Sequence, residues 1–75
     1  MKNIETLIDD GGSISVADLE PIGCVAAATD GSKCLAMLVR RDGESFSALM
    51  ARFDAAIGAA WSTGLFTDEV NDPDS

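Results

Sequence analysis

Histidine and tyrosine are absent from this sequence, cysteine occurs twice, and lysine and arginine together number only five. Each shortage removes a class of chemistry. Without histidine the commonest general base is missing, and neither Cys24 nor Cys34 has an imidazole to activate it. A structural zinc site takes four Cys or His ligands at set spacings; two cysteines without a CxxC pair do not supply one. Gly11-Gly12-Ser13 lacks the later glycine and the lysine of a phosphate-cradling loop. The paired carboxylates Asp9-Asp10 and Asp68-Glu69 would need a glycosidase cleft, which a chain of 75 residues is too small to form. The tail acids Asp68, Asp72 and Asp74 have neither the central glycine nor the terminal bidentate glutamate of an EF-hand. The expectation is a non-enzyme with no catalytic residue, no metal and no cofactor.

Long apolar runs are missing too. No stretch approaches the roughly 18 residues of a membrane span, and Met1-Lys2-Asn3-Ile4-Glu5 has no apolar core of a signal peptide. A soluble, cytoplasmic protein is expected, with its two thiols reduced. What is abundant is negative charge: 13 acids against 5 bases give a net charge of -8. Phosphates would be repelled, which argues against direct contact with nucleic acid or anionic lipid. A basic surface on another protein would be attracted.

The chain is long enough for one domain, residues 1–75, and a chain of this size buries only about 60 % of its unfolded surface. Small cores are supplemented by a disulfide, a metal or a second copy, and of these a homodimer is the one left standing.

Residues 1–20 form the least defined segment. Ile4, Leu7 and Ile8 share a helical face, with Asn3 available as N-cap and Gly11-Gly12 as a stop. Ser13 to Val16 reads as extended, yet Ser15-Val16-Ala17-Asp18 also has the shape of a helix start. Residues 22–40 read as a hairpin, two strand-length apolar runs about Thr29-Asp30-Gly31-Ser32. Asp-Gly suits a two-residue type I′ turn. With Asp30-Gly31 at the bend, Ala28 faces Lys33, Ala26 faces Leu35, Cys24 faces Met37 and Ile22 faces Val39. The other face carries Gly23, Val25, Ala27, Cys34, Ala36 and Leu38, so the cysteines lie on opposite faces. Both faces are apolar, and one helix covers only one of them.

Residues 45–63 read as that helix. Ser45 is its N-cap, Gly64 its C-terminal stop, and Phe46, Leu49, Met50, Phe53, Ile57, Ala60 and Trp61 form an apolar stripe. Ala48, Ala51, Ala55 and Ala59 make a smooth strip on another side. Residues 65–71 return as a short extended segment, and 68–75 form an acidic tail. The fold class expected is α+β, a small ββα unit with an antiparallel hairpin packed on one long C-terminal amphipathic helix.

Two charged features remain. Arg40-Arg41 is the one basic cluster, read either as a strand end pairing with Asp42 and Glu44 or as a docking point for an anion. The acids Asp42, Glu44, Asp54, Asp68, Glu69 and Asp72 are the candidate partner-binding set. Carboxylates held on a rigid frame imitate phosphate spacing and are steered toward a basic groove; the plainer reading is a solvated surface that keeps the chain soluble.

The run Arg40-Arg41-Asp42-Gly43-Glu44-Ser45, then Leu49, Arg52-Phe53-Asp54-Ala55-Ala56-Ile57 and Phe66-Thr67-Asp68-Glu69-Val70-Asn71, resembles a family of small acidic proteins of bacterial phages and integrated mobile elements. The resemblance covers the second half of the chain and carries no settled activity. It implies a mobile-element setting in which small acidic proteins inhibit host defence, anti-CRISPR proteins that mimic DNA among them. This likeness of setting and size implies a competitive inhibitor; a structural or regulatory dimerisation module is the alternative.

Overall fold

The computed structural model describes residues 1–71, so Asp72 and the rest of the acidic tail lie outside the described residues. The fold is α+β, in the order α1 (Lys2–Asp9), β1 (Ser13–Leu19), β2 (Gly23–Asp30), β3 (Lys33–Val39), α2 (Phe46–Thr63) and β4 (Thr67–Asp68). The sheet order is β1-β2-β3-β4; the first three strands are antiparallel neighbours and β4 joins β3 in parallel. The expected hairpin on a long helix is present, enlarged by a third full strand and a short fourth.

That third strand is β1, where Ser15 to Asp18 had also read as a helix start. Ser13, Ile14, Ser15 and Val16 alternate polar and apolar, the period of a half-covered strand, and burial alternates with them. Ile14 and Val16 turn toward the core, while Ser13 hydrogen-bonds Thr29 through their hydroxyls at 2.9 Å on the other side. The link to β2 runs through Pro21, preceded by a cis peptide bond.

The bend of the β2–β3 hairpin sits one residue later than Asp30-Gly31. Asp30 pairs with Lys33, leaving Gly31-Ser32 as the two-residue turn. Gly31 has φ 62, and among the described residues no non-glycine has positive φ. A type I′ turn would need positive φ at both central positions, whereas glycine first is the mark of type II′. A bulge follows, since Thr29 pairs with Cys34 and Ala28 with Ala36, leaving Leu35 unpaired. The register is therefore Ala26 with Leu38 and Val25 with Val39. This corrects the expected faces: Ala36 and Leu38 join Ala26 and Ala28 in the core, while Met37 and Val39 turn outward. Leu35 at the bulge is also buried. Cys24 packs against the core and Cys34 is exposed on the other face; both are free.

Helix α2 starts where its cap predicts, with Ser45 Oγ accepting from the Ala48 N–H at 3.0 Å, and ends at Gly64 with φ 72. Leu49, Phe53, Ile57 and Ala60 are buried against the sheet, mainly β3. The two ends of the expected stripe are not: Phe46 is 51 % exposed and Trp61 41 %. Leu49 to Ala60 already spans about 16 Å of helix axis, and the first and last turns overhang the core.

Helix α1 completes the layer beside α2, on the same side of the sheet, with Leu7 1 % exposed in the core. Its expected cap is corrected: Asn3 lies inside the helix and donates Nδ2–H to the Asp54 carbonyl at 3.0 Å. The cap position belongs to Met1, which has no side-chain acceptor. Asp54 replaces it from across the fold, its Oδ1 taking the Ile4 N–H at 2.9 Å and so satisfying a first-turn donor. The chain leaves α1 through Gly12, where a Cβ would lie 2.8 Å from the Thr29 carbonyl and collide with the Leu7 side chain. Gly12→Ala is expected to cost about 1–3 kcal/mol, the usual penalty of overpacking, read as a lowered urea midpoint; Gly31→Ala has open space but a strained φ.

Because both helices pack on one side, the opposite face of the sheet has no covering element among the described residues. It carries Ala17, Ala27, Met37 and Val39 with Ser13, Ser15 and Thr29, and only Val25, 3 % exposed, is closed off by its neighbours.

Candidate functional site

The chain has few cations, so the position of each one decides where negative charge stays unbalanced. Arg52, on α2, is the centre of the charged network. Its guanidinium donates Nε–H to Glu44 Oε2 at 2.8 Å and Nη2–H to Glu44 Oε1 at 3.0 Å. Nη1–H goes to Glu69 Oε2 at 2.8 Å, and Nη2–H also reaches the Val39 carbonyl at 3.0 Å. Two carboxylates, one before α2 and one after β4, are thereby held on a single planar fork. Glu69 closes the arrangement: its Oε1 accepts the Val39 N–H at 2.9 Å and its own N–H bonds the Met37 carbonyl at 2.8 Å.

The Arg40-Arg41 pair sits at the edge of this network. Arg40 Nε–H donates to the Glu44 carbonyl at 2.8 Å, and the Arg41 N–H donates to Glu44 Oε1 at 3.0 Å. The Arg41 side chain is 67 % exposed and lies 3.7 Å from Glu69 Oε2, a contact of little energy. Both arginines, with Asp42, Gly43 and Glu44, line a shallow depression also bordered by Ile22 and Cys24.

Glu44 is held down to about 2 from an ordinary 4.5, first by its hydrogen bonds from Arg52 and then by the Arg41 N–H. The same contacts raise Arg52, with the Glu44 bond as the largest cause. Asp68 is lowered by the Asn71 backbone N–H, then by the Asn71 side-chain amide. The Asn71 N–H donates to Asp68 Oδ1 at 2.9 Å and Asn71 Nδ2–H donates to Oδ2 at 3.0 Å. A carboxylate depressed on folding adds stability that is complete above its ordinary pKa and vanishes as pH falls through the folded value. Glu44→Gln is therefore expected to melt below wild type at pH 6, with the gap closing between pH 4.5 and about 2. A gap independent of pH, measured by thermal melts across that window, would place the carboxylate outside the network.

Of the sequence-named acids, four are thus engaged internally: Glu44 and Glu69 with Arg52, Asp54 at the start of α1, and Asp68 in the turn after β4. Asp42 is exposed. Glu5, Asp9, Asp10, Asp18, Glu20 and Asp30 are also exposed, and none of them forms an ion pair among the described residues. Glu5, Asp9, Asp10, Asp18 and Glu20 belong to the acid distribution read from the sequence, but the candidate partner-binding set leaves them and Asp30 out. Their signal was in plain view, because no lysine or arginine occurs between Lys2 and Lys33.

No family model, curated protein or solved structure matches this chain. The functional reading therefore rests on its own residues. Among the described residues no helix is long and apolar enough to cross a membrane, and no group of three Cys, Asp or Glu side chains is arranged to hold a metal.

Proposed function

We propose that this chain is a non-catalytic interaction protein that binds a basic surface of another protein through its acidic side. The observation that carries the reading is the separation of charge. Three of the five cations, Arg40, Arg41 and Arg52, gather about Glu44 and Glu69, while six carboxylates of the first thirty residues stay exposed and form no ion pair among the described residues. Unbalanced carboxylates on a rigid helix-and-sheet frame produce a directional negative field, which accelerates encounter with a basic partner. A groove that otherwise holds nucleic-acid phosphates is one such surface, and occupying it would inhibit its owner by competition, in the manner of a DNA mimic.

The test is binding measured against ionic strength. Capture of a basic partner from a host lysate at low salt, lost near 0.5 M salt where the Debye length falls to about 4 Å, supports the reading. A partner retained unchanged at that salt overturns its electrostatic part.

A second reading, a dimerisation module, is favoured by the uncovered sheet face around Ala27, Met37 and Val39. Light scattering separates the two: a dimer insensitive to salt supports the module, and a monomer removes it.

A further inference from the structure

The first strand has one free side. Arg40 donates its N–H to the Cys24 carbonyl at 2.8 Å, which fixes Cys24, and with it Ala26 and Ala28, as the β2 residues whose main-chain groups turn toward β3. Bonded and non-bonded pairs alternate along an antiparallel ladder. Val25, Ala27 and Thr29 therefore turn toward β1, where their partners are Ala17, Ser15 and Ser13. The remaining β1 residues, Ile14, Val16 and Asp18, aim their N–H and C=O groups away from the sheet. β1 is terminal in the strand order, and no described residue bonds these groups.

Natural edge strands are blunted by lysine, proline, a bulge or a covering element. β1 contains no lysine or proline and pairs with β2 in unbroken register over all of Ser13–Leu19. Its Ile14 and Val16 side chains are only half-covered, as expected where a neighbouring strand is missing. Asp18 is the one charge on it.

Charge at the two ends says what occupies this edge. Asp9 and Asp10 stand just before the strand, Asp18 and Glu20 at its far end, all exposed. A second copy does not suit it. Pairing two β1 strands about Val16 matches Ile14 with Asp18, satisfies the outward groups, and then sets Glu20 of one copy opposite Gly12 of the other, two residues from Asp10. Like charges would meet at both flanks.

We propose that the free edge of β1 takes an extended segment of a basic protein as a fifth strand, bonded main chain to main chain at Ile14, Val16 and Asp18. Positive side chains at the ends of that segment meet Asp9-Asp10 and Asp18-Glu20, and small or apolar side chains lie between. This is the β-augmentation mode, in which backbone bonds supply affinity and flanking side chains supply choice of partner. The proposal rests on the reading of the chain as an acidic interaction protein and names the surface that does the binding.

The probe is a short synthetic peptide of alternating valine and threonine between paired lysines, acetylated and amidated at its ends. A control of the same sequence and charge is N-methylated at alternate residues, so that it cannot donate toward β1. In the free protein the Ile14, Val16 and Asp18 amides should exchange with solvent far faster than those of Ser15 and Ala17. Adding the peptide should slow those three at least about tenfold, and the N-methylated control should bind at least about tenfold more weakly. Val16→Pro removes one outward N–H without touching the bonds to β2 and should weaken the peptide to a similar degree; should that variant not fold, the two peptides alone decide. Equal binding of both peptides, lost in salt, overturns the edge while leaving the acidic-surface reading intact. Protection of the same amides that rises with protein concentration alone, without peptide, makes a second copy the occupant and overturns the proposal.

Discussion

Phe53→Ala is expected to lower the stability of the chain by about 3–5 kcal/mol. Phe53 is fully buried and heads the largest side chains enclosed in the core, ahead of Leu7, Leu38, Leu49 and Ile57. The sheet side opposite it is built largely from alanine, with Ala26, Ala28 and Ala36 at 0 % exposure. Alanines bring the sheet close to the helix but contribute little apolar area, so the few large residues carry the core. Truncating a buried phenylalanine costs about 3–5 kcal/mol, through lost transfer free energy and the cavity left behind. A domain of 75 residues has a total stability on the order of 4–11 kcal/mol. The substitution removes about a quarter of that at least, and at the lower end nearly all. Phe46→Ala is the matched control, since its ring is half-exposed on the overhanging first turn, and should change stability by less than about 1 kcal/mol. Urea unfolding followed by circular dichroism measures both. A Phe53→Ala midpoint equal to that of Phe46→Ala would place the core elsewhere.

Helix α2 was legible because its signals are local and agree: a capping serine, a 3.6-residue apolar repeat and a terminal glycine all lie in one stretch. The hairpin was legible for the same reason, but its register was not. Asp-Gly favours one bend, Gly-Ser allows another, and the bulge at Leu35 has no sequence mark apart from the strand it distorts. The extra residue of the bulge exchanges the faces of β3 beyond it, which is why Ala36 and Leu38, rather than Met37 and Val39, lie beside Ala26 in the core. β1 was obscured by a competing motif, since Ser15 and Asp18 fit a helix start while the Ser-Ile-Ser-Val alternation fits a strand. Tertiary pairing with β2 settled it. The charged contacts were the least legible part. Asp54 caps α1 across a separation of 50 residues, and Arg52 meets Glu44 and Glu69 at separations of 8 and 17. None of these spacings lies on one helix face or one strand pair, so no local pattern announces them. Four of the six acids chosen from sequence as a partner surface, Glu44, Asp54, Asp68 and Glu69, are consequently ones the fold uses for itself, and an exposed set lies in the cation-free stretch before Lys33.

Arg52→Met is expected to lower stability by about 2 kcal/mol, roughly 10 °C in Tm for a domain of this size. The substitution keeps the aliphatic stem and removes only the fork, which leaves Glu44 with the Arg41 N–H, Glu69 with the Val39 N–H, and the Val39 carbonyl without the guanidinium. Charge-assisted bonds are each worth more than neutral ones, but the Arg52 side chain is 24 % exposed, and solvent screening reduces the loss. The loss should also be uneven across the fold. β4 has two residues, and Glu69 ties it down through Met37, Val39 and Arg52. Without the guanidinium the Glu69 amide should exchange much faster, whereas amides in β2 should follow only the global change. Glu44 supplies a second readout: its pKa, held near 2 chiefly by Arg52, should climb back toward 4.5. Arg52→Lys should recover less than half of the stability, because a single ammonium cannot reach two carboxylates and a carbonyl with the geometry of a planar fork. If Arg52→Lys melted like wild type, the contacts would act as a diffuse positive charge rather than as directed bonds. The clamp on β4 would then come from the backbone pairing of Thr67 and Asp68 and from the bonds of Glu69 to Met37 and Val39.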